Sequence, residues 1–428
     1  MISYYRILTL INKRYALVFK PNKKRFTRVV KAHKAVGKDL KDVDGNGLHH
    51  LFGHFKKTGI KYKNIPLHVW GLLHEVLRTN NRSPELRNAF DDCPSDSLTP
   101  GEWIELATYL LSFGLFQEAV VCRHKSHASL KSLKSRIHYN LQLPNLLMSS
   151  LFDQGLWEEH PGRMTDSHQF KLSPFYRKFF GKEKAIGKEI DPDYYELING
   201  KRMAVIGPLS FDKDYSEEIN GADLIVELNA LESKREGAKS KYHGRPDIAY
   251  YNNGRIKRRT KETLGNLIRD CKYFVFKDSS VFKNEDYEQV MNKSATKARV
   301  IPGSAELTWN GTFSMMEKTV SDLLLFDPAE IKVYGVDLYL SFDYSKGYGN
   351  LAPQSLSSMT INFTAHDIFT QFSFMRNLMD RGLIKADDRL SKVIGLDIEG
   401  YAEKLEELYP VYVHDGPDDL KRKLPENA

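Results

Sequence analysis

From Lys201 onward the chain alternates short apolar runs with amphipathic stretches, and that alternation narrows the choice of fold more than any other feature. The runs MAVIG (203–207), DLIVELN (223–229), DIAYYNN (247–253), KYFVFK (272–277) and KVYGVD (332–337) are bounded by turn-forming residues and are too short for helices. Between them, 258–270, 312–326 and 367–381 place apolar residues three and four apart, as helices do. Strands alternating with helices predict an α/β fold with a doubly wound, Rossmann-like parallel sheet. Ligands of such sheets lie at the carboxyl ends of the strands.

The front of the chain follows other rules. Residues 1–64 form a basic amphipathic amino-terminal segment, in which 13–38 holds ten Lys/Arg and no acid, interleaved with Phe19, Phe26, Val29 and Val30. Such a stretch suits either an anionic bilayer surface or a solvated helix face. Nucleic acid is disfavoured as a partner, because neither a recognition motif nor regularly spaced aromatic platforms accompany the charge. Residues 65–165 read as a helical domain, with helical spacing in HVWGLLHEVL and EWIELATYLLSFGLF and a helix start at Thr99-Pro100-Gly101-Glu102. LATYLLSFGLFQEA (106–119) and LLMSSLFDQGLWEEH (146–160) align Gly114 over Gly155, which resembles a tetratricopeptide-type hairpin. Residues 166–200 read as a connector, 201–390 as the α/β domain, and 391–428 as a carboxyl-terminal helix and tail.

Charge follows the same division. Residues 1–150 carry 24 basic and 11 acidic side chains, and the remaining 39 basic and 44 acidic side chains fall in 151–428, so the front is basic and the back mildly acidic. The three cysteines, Cys93, Cys122 and Cys271, are odd in number and form no CxxC pair, which predicts a reducing compartment. No run approaches the roughly 18 apolar residues of a spanning helix. A cytoplasmic protein, peripheral at the inner face of a membrane through 13–38, is the expectation.

Four places carry candidate chemistry. MAVIGPLS has a strand-to-glycine turn but only one glycine, Gly207, which excludes a GxGxxG fingerprint and a GxxxxGK[ST] phosphate loop and leaves a tight turn or a phosphate seat open. Asn229 closes the next strand and is suited to bonding a phosphate, ribose or base. Asn310-Gly311-Thr312, with Ser314, opens a helix, as an anion site or as ordinary capping. Thr364-Ala365-His366-Asp367 precedes the helical IFTQFSFMRNLMDRG, so His366 is either a structural imidazole or a general base at a helix start. The basic run Arg255, Lys257, Arg258, Arg259 and Lys261 reads as a solvated helix face or an anion contact.

The order and spacing of these pieces resemble the sialyltransferase family over roughly residues 201–385. MAVIGPLSFDKDYSEEINGADLIVELNA resembles the large sialylmotif, with Gly207, Ile219, Asp223, Asn229 and Ala230 on its positions. IPGSAELTWNGTFSMMEKTVSDLLLFDPAEIKVYGVD resembles the small motif, and HDIFTQ the very small motif, with His366 present and Gln371 at the Glu position. The resemblance implies a variant GT-A domain of bacterial type, a CMP-sugar donor, no metal or other cofactor, and inversion at the anomeric carbon. It makes His366 the base, and assigns Asn229, Gly311, Thr312 and Ser314 to the nucleotide and its phosphate. The segment 338–356 lacks the family's third-motif His, so Tyr344 or Tyr348 stands in as phosphate donor. The donor sugar would be sialic acid or a Kdo-like acid, and the acceptor a cell-surface glycan, lipid-linked or not, as in capsule or lipopolysaccharide synthesis. The competing reading is a catalytically inactive sialyltransferase-like scaffold or helical-repeat binding protein, on the grounds of Gln371 and the missing His. A UDP- or GDP-sugar transferase is disfavoured by the lack of an evident Asp-x-Asp, and nicotinamide chemistry by the missing glycine fingerprint.

Overall fold

The structure, a computed structural model, describes residues 21–41, 53, 55–133, 150–151, 153–155, 173–229, 246–252, 271–277, 296–302, 311–342, 344 and 356–413. The expected helix at 258–270, the basic run at 255–261, Tyr348 and most of the second Gly hairpin at 146–160 lie outside them. Seven parallel strands make one sheet: β1 (Arg202–Ile206), β2 (Leu224–Leu228), β3 (Ile248–Tyr251), β4 (Tyr273–Phe276), β5 (Lys297–Val300), β6 (Glu330–Tyr334) and β7 (Lys385–Ala386). Their order is β5-β4-β3-β2-β1-β6-β7, so the chain reverses its direction of travel between β1 and β6. Val205 pairs with Val226 on one side and Val333 on the other. β2, β3 and β4 are buried along their whole length, which is why they read as apolar runs, broken only by the buried Glu227 of β2, instead of alternating ones. β5 and β7 are edge strands that the apolar pattern does not reveal: one carries Lys297 and Arg299, and the other is two residues long.

The front of the molecule is helical: α1 (Pro21–Lys41), α2 (Leu67–Thr79), α3 (Pro84–Asp92), α4 (Pro100–Ser112) and α5 (Phe116–Leu133). α4 starts where expected, in a capping box: Thr99 accepts from the Glu102 amide while Glu102 Oε2 accepts from the Thr99 amide at 2.8 Å. The apolar face of α1 is turned into the protein. Val29, Ala32 and Val36 are buried, and His33 Nε2 meets Ser112 Oγ at 2.9 Å with its ring 4.2 Å from that of Phe113, while Arg28, Lys31 and Lys34 stay exposed. That apolar face is therefore occupied, and any contact of this helix with an anionic surface is left to its charges. The part of the expected connector that is described holds three short helices, α6 (Pro174–Phe179), α7 (Ile186–Ile190) and α8 (Pro192–Ile198), with Tyr176 and Tyr194 fully buried.

α9 (Ser216–Asn220) covers one face of the sheet, with Tyr215 and Ile219 packed on Ile206 and Tyr334. The remaining helices are α10 (Met315–Leu323), α11 (Leu356–His366), α12 (Ile368–Asp380), α13 (Asp388–Ile394) and α14 (Ile398–Leu408). One continuous apolar cluster runs from Val29 in α1 through the sheet to Val411, so the helical front and the α/β layer share a core. The last turn of α14 and the chain just past it return to the α4–α5 turn. Glu406 Oε1 accepts from the amides of Phe116 and Gln117 at 3.0 Å each, capping α5 from 290 residues away, and the Tyr412 amide donates to Phe113 O. Cys93, Cys122 and Cys271 are buried, and none is joined in a disulfide among the described residues. Among those residues no helix is long and apolar enough to cross a membrane.

Candidate functional site

α11 and α12 are nearly continuous, and the break between them builds the site. Asp367 takes a left-handed conformation (φ 33°, ψ 71°) and caps α12 with its side chain, Oδ1 accepting from the Thr370 amide at 3.2 Å. His366 is therefore the last residue of α11, where the sequence pattern expected it at the start of the next helix. Its Nδ1 lies 3.2 Å from the carbonyl oxygen of Thr312. A carbonyl only accepts, so Nδ1 carries the proton and Nε2 is left as the basic nitrogen.

The Thr312 strip is stitched to the same junction. The Thr312 amide donates to Ala365 O at 2.9 Å. Gly311, at φ 133°, passes so close that a Cβ would sit 2.9 Å from Ala365 O and 3.0 Å from the Asp367 nitrogen, and only glycine fits. The Gln371 side-chain amide donates to the His366 carbonyl, a bond for which a carboxylate would have no proton. Helix α10 begins later than its apolar spacing suggests, with Ser314 as N-cap and its hydroxyl donating to the Glu317 carboxylate. Gly311, Thr312, Ser314 and His366 thus gather at one place, with the Thr312 amide and the Ser314 hydroxyl engaged within the protein.

The imidazole sits in a positive field. Burial, then the charge of Lys277 just beyond β4, then that of Lys318 in α10, push the His366 pKa down to about 4, against the opposing bond to Thr312. At neutral pH the ring is uncharged. Beneath the junction lies a buried ionic cluster reaching into the helical front. Arg123 of α5 donates from Nε and Nη2 to the two oxygens of Asp153 (2.7 and 2.6 Å) and from Nη1 to Asp367 Oδ1 (2.9 Å). His127 Nε2 meets Asp153 Oδ2 at 2.9 Å and its Nδ1 meets Ser150 Oγ at 2.8 Å. Burial works against both charges, yet their mutual attraction outweighs it: the Arg123 pKa lies above its ordinary value and that of Asp153 well below.

The other sequence-chosen residues stand at strand ends. At Gly207, after β1, a Cβ would run into the Gly335 carbonyl and a Val336 methyl beyond β6, so close packing at the reversal point alone calls for glycine here. Asn229, after β2, is left-handed (φ 48°), its amide donating to Tyr250 O at 2.7 Å and its Oδ1 accepting from the Asn252 amide at 3.0 Å. Tyr344 pairs with Leu209 in an isolated antiparallel bridge. Sequence reasoning overlooked the turn after β6. Leu338 and Tyr339 are consecutive left-handed residues (φ 50° and 74°), their carbonyls held by Tyr401 Oη at 2.6 Å and Tyr409 Oη at 3.1 Å. Beside them burial raises the Asp337 carboxyl to about 6. Backbone strain with a perturbed carboxyl at a strand's carboxyl end is a mark of a functional edge. The run VYGVD by itself predicts only a strand, because its length and apolar content say nothing of the turn that follows.

A cleft of about 370 Å³ opens at the opposite, amino-terminal edge, between Lys178, Asp327, Glu330 and Lys385. Its charges neutralise one another, Lys178 with Asp327 at 2.7 Å and Lys385 with Glu330, so the chemistry is better sought at the carboxyl edge. No protein-family model matches the chain, and no curated protein matches it significantly in sequence.

Proposed function

We propose that the protein is a metal-independent, inverting glycosyltransferase that moves an acidic sugar, sialic acid or a Kdo-like acid, from its CMP conjugate to a cell-surface glycan. The observation that carries the reading is the convergence of His366 with the Gly311–Ser314 strip beside a parallel sheet, in a field made positive by Lys277 and Lys318. Nε2 of the neutral imidazole takes the proton of the acceptor hydroxyl as its oxygen bonds to the anomeric carbon. The bond from that carbon to the phosphate breaks on the opposite face, and CMP leaves with the electron pair. The lysines hold the donor's negative charge, and that charge raises the basicity of His366 when it is needed. The finer architecture belongs to the same reading: a variant GT-A sheet, with the α4–α5 hairpin as the first unit of a tetratricopeptide-like layer. The exposed Arg28, Lys31 and Lys34 would favour the inner face of an anionic membrane.

The test compares CMP, CDP, UMP, GMP and NAD as thermal stabilisers, with and without chelator. At a hundred times its Kd a ligand adds about 2.7 kcal/mol of stability. The expected result is a shift confined to cytidine nucleotides and indifferent to chelator, with His366→Ala keeping the shift and losing about 10²- to 10⁴-fold in turnover with CMP-sugar donors. A chain that no nucleotide stabilises is not this enzyme, and the scaffold reading, which Gln371 first suggested, takes its place.

A further inference from the structure

Arg123 and Asp367 are 244 residues apart, one on a helix of the front layer and the other in the link that carries His366. A left-handed aspartate persists only where its surroundings hold it, and Asp367 is held from three sides. Arg123 Nη1 bonds Oδ1, the Thr370 hydroxyl donates to Oδ2 at 2.7 Å, and the Gln371 amide donates to the Asp367 carbonyl at 3.1 Å. Thr370 and Gln371 belong to the same helix as the link and move with it. Arg123 reaches it from another layer of the molecule. Its guanidinium is itself oriented by the two-point grip on Asp153, which His127 holds in turn.

We infer that Arg123 is a positioning residue for His366: by gripping Asp367 it fixes the left-handed link that aims the imidazole at the Thr312 strip. The catalytic part of this inference rests on reading His366 as the proton acceptor. Its structural part does not. The planar fork of arginine meets two carboxylates at once in fixed directions, which a lysine ammonium on a flexible stem does not reproduce. A buried ion pair is seldom needed for stability alone, because apolar side chains of similar volume serve as well. Here it stands directly against a strained residue, and the glycine opposite, Gly311, leaves no slack between the strip and the link.

The experiment uses the full chain with Arg123→Lys and Arg123→Met, reading the His366 imidazole by NMR, assigned against His366→Gln, together with amide exchange at Thr312. A loosened link admits water to the ring. The His366 pKa is then expected to climb from about 4 towards the free value of about 6.5, and Thr312 exchange to quicken about tenfold while β1 to β4 keep their protection. In an active enzyme, Arg123→Lys lowers kcat about 100-fold and leaves CMP binding nearly unchanged. A folded Arg123→Lys protein with unaltered His366 pKa and Thr312 exchange overturns the inference. If neither Arg123 variant folds, Asp367→Asn, which keeps the cap and tolerates the left-handed conformation, must show the same shifts in smaller degree, and their absence overturns it equally. Failure of the wild type to bind CMP removes the transferase reading and leaves the pKa and exchange comparison to decide this one. Unaltered His366 behaviour in a CMP-binding protein removes this one alone.

Discussion

Among the described residues two arginines are buried beside carboxylates, and they serve different ends. Arg299 on β5 grips Asp322 of α10, with its guanidinium 4.3 Å from the Tyr194 ring centre and 4.8 Å from that of Phe326. Tyr250 of β3 donates to the same Asp322 and meets Tyr194 Oη at 2.9 Å. These partners come from the α/β layer and the short helices under it, with ordinary backbone at each. Such a cluster ties an edge strand to a helix and specifies the fold. Arg123 instead joins three segments from different parts of the chain and ends on a left-handed residue next to a neutral imidazole. A buried charge that closes on strain beside a titratable group points to a site, and one that closes on aromatic rings points to a core.

The sharpest way to break this distinction is at Arg299. Arg299→Met strands Asp322 without its counter-charge and is expected to lower stability by about 3–5 kcal/mol, read from urea unfolding, while the folded fraction keeps the wild-type His366 pKa. If that variant moves the His366 resonance as much as Arg123→Lys does, the two clusters are not separate in function.

A smaller effect sharpens the comparison on the helix that carries Arg123. Glu118, one turn before it, is 3% exposed, and its Oε2 has no hydrogen-bond partner among the described atoms. Burial, then the charge of Glu406, raise its pKa to about 7, against the pull of Arg82 and Arg87. The folded protein thus retains a proton that the unfolded chain releases from about pH 4.5 upward. Stability falls as pH rises through that window, and the full cost stands above about pH 7. Glu118→Gln is expected to stabilise by about 2 kcal/mol at pH 8 and by nothing from this source below pH 4.5. A gain equal at both pH values would show that shape, not charge, is at issue. Beside Arg123, whose cluster is satisfied, Glu118 shows what an uncompensated charge in the same helix does.

Much of the sheet was legible because β1 to β4 are buried on both faces and leave apolar runs bounded by turns. β5 and β7 were not, since edge strands need no such run. The helix start at Thr99 was legible because a capping box is local, with donor and acceptor three residues apart. The site was legible only in pieces. Gly311, Thr312, Ser314 and His366 each lie at the end of a local pattern, and the fold brings them together. Arg123, Asp153 and Lys277 carry no such mark, because their importance lies in partners that other segments bring. Asp367 escaped notice for a further reason: an aspartate before a helix looks like an ordinary cap, and nothing local discloses a left-handed backbone or a second ion pair.

The mildest prediction separates the two clusters by pH. His127, in the Arg123 cluster, has its pKa lowered, chiefly by burial and to a lesser extent by the charge of Arg123, with Asp153 pulling the other way. Between the ordinary histidine value of about 6.5 and that lowered value, the unfolded chain binds a proton that the folded one refuses, so stability declines as pH falls below about 6.5. The Arg299 cluster has the opposite sensitivity. Burial raises the pKa of Tyr194 and of Tyr250, so its stability is untouched by mild acid and declines only above about pH 10, where unfolded tyrosines ionise. Thermal midpoints taken from pH 8 to pH 5 therefore carry an acid-side fall from His127 set against the opposite trend of Glu118 and Asp337. Relative to the wild type, His127→Gln should gain midpoint on the acid side, because its amide still reaches Asp153 but takes up no proton. His366, also lowered, adds a decline of the same sign, so His366→Gln must be measured alongside and the two increments compared. An acid decline that His127→Gln leaves whole would mean that His127 already carries its proton in the fold, and the Arg123 cluster would then hold two positive charges against Asp153 and Asp367 instead of one.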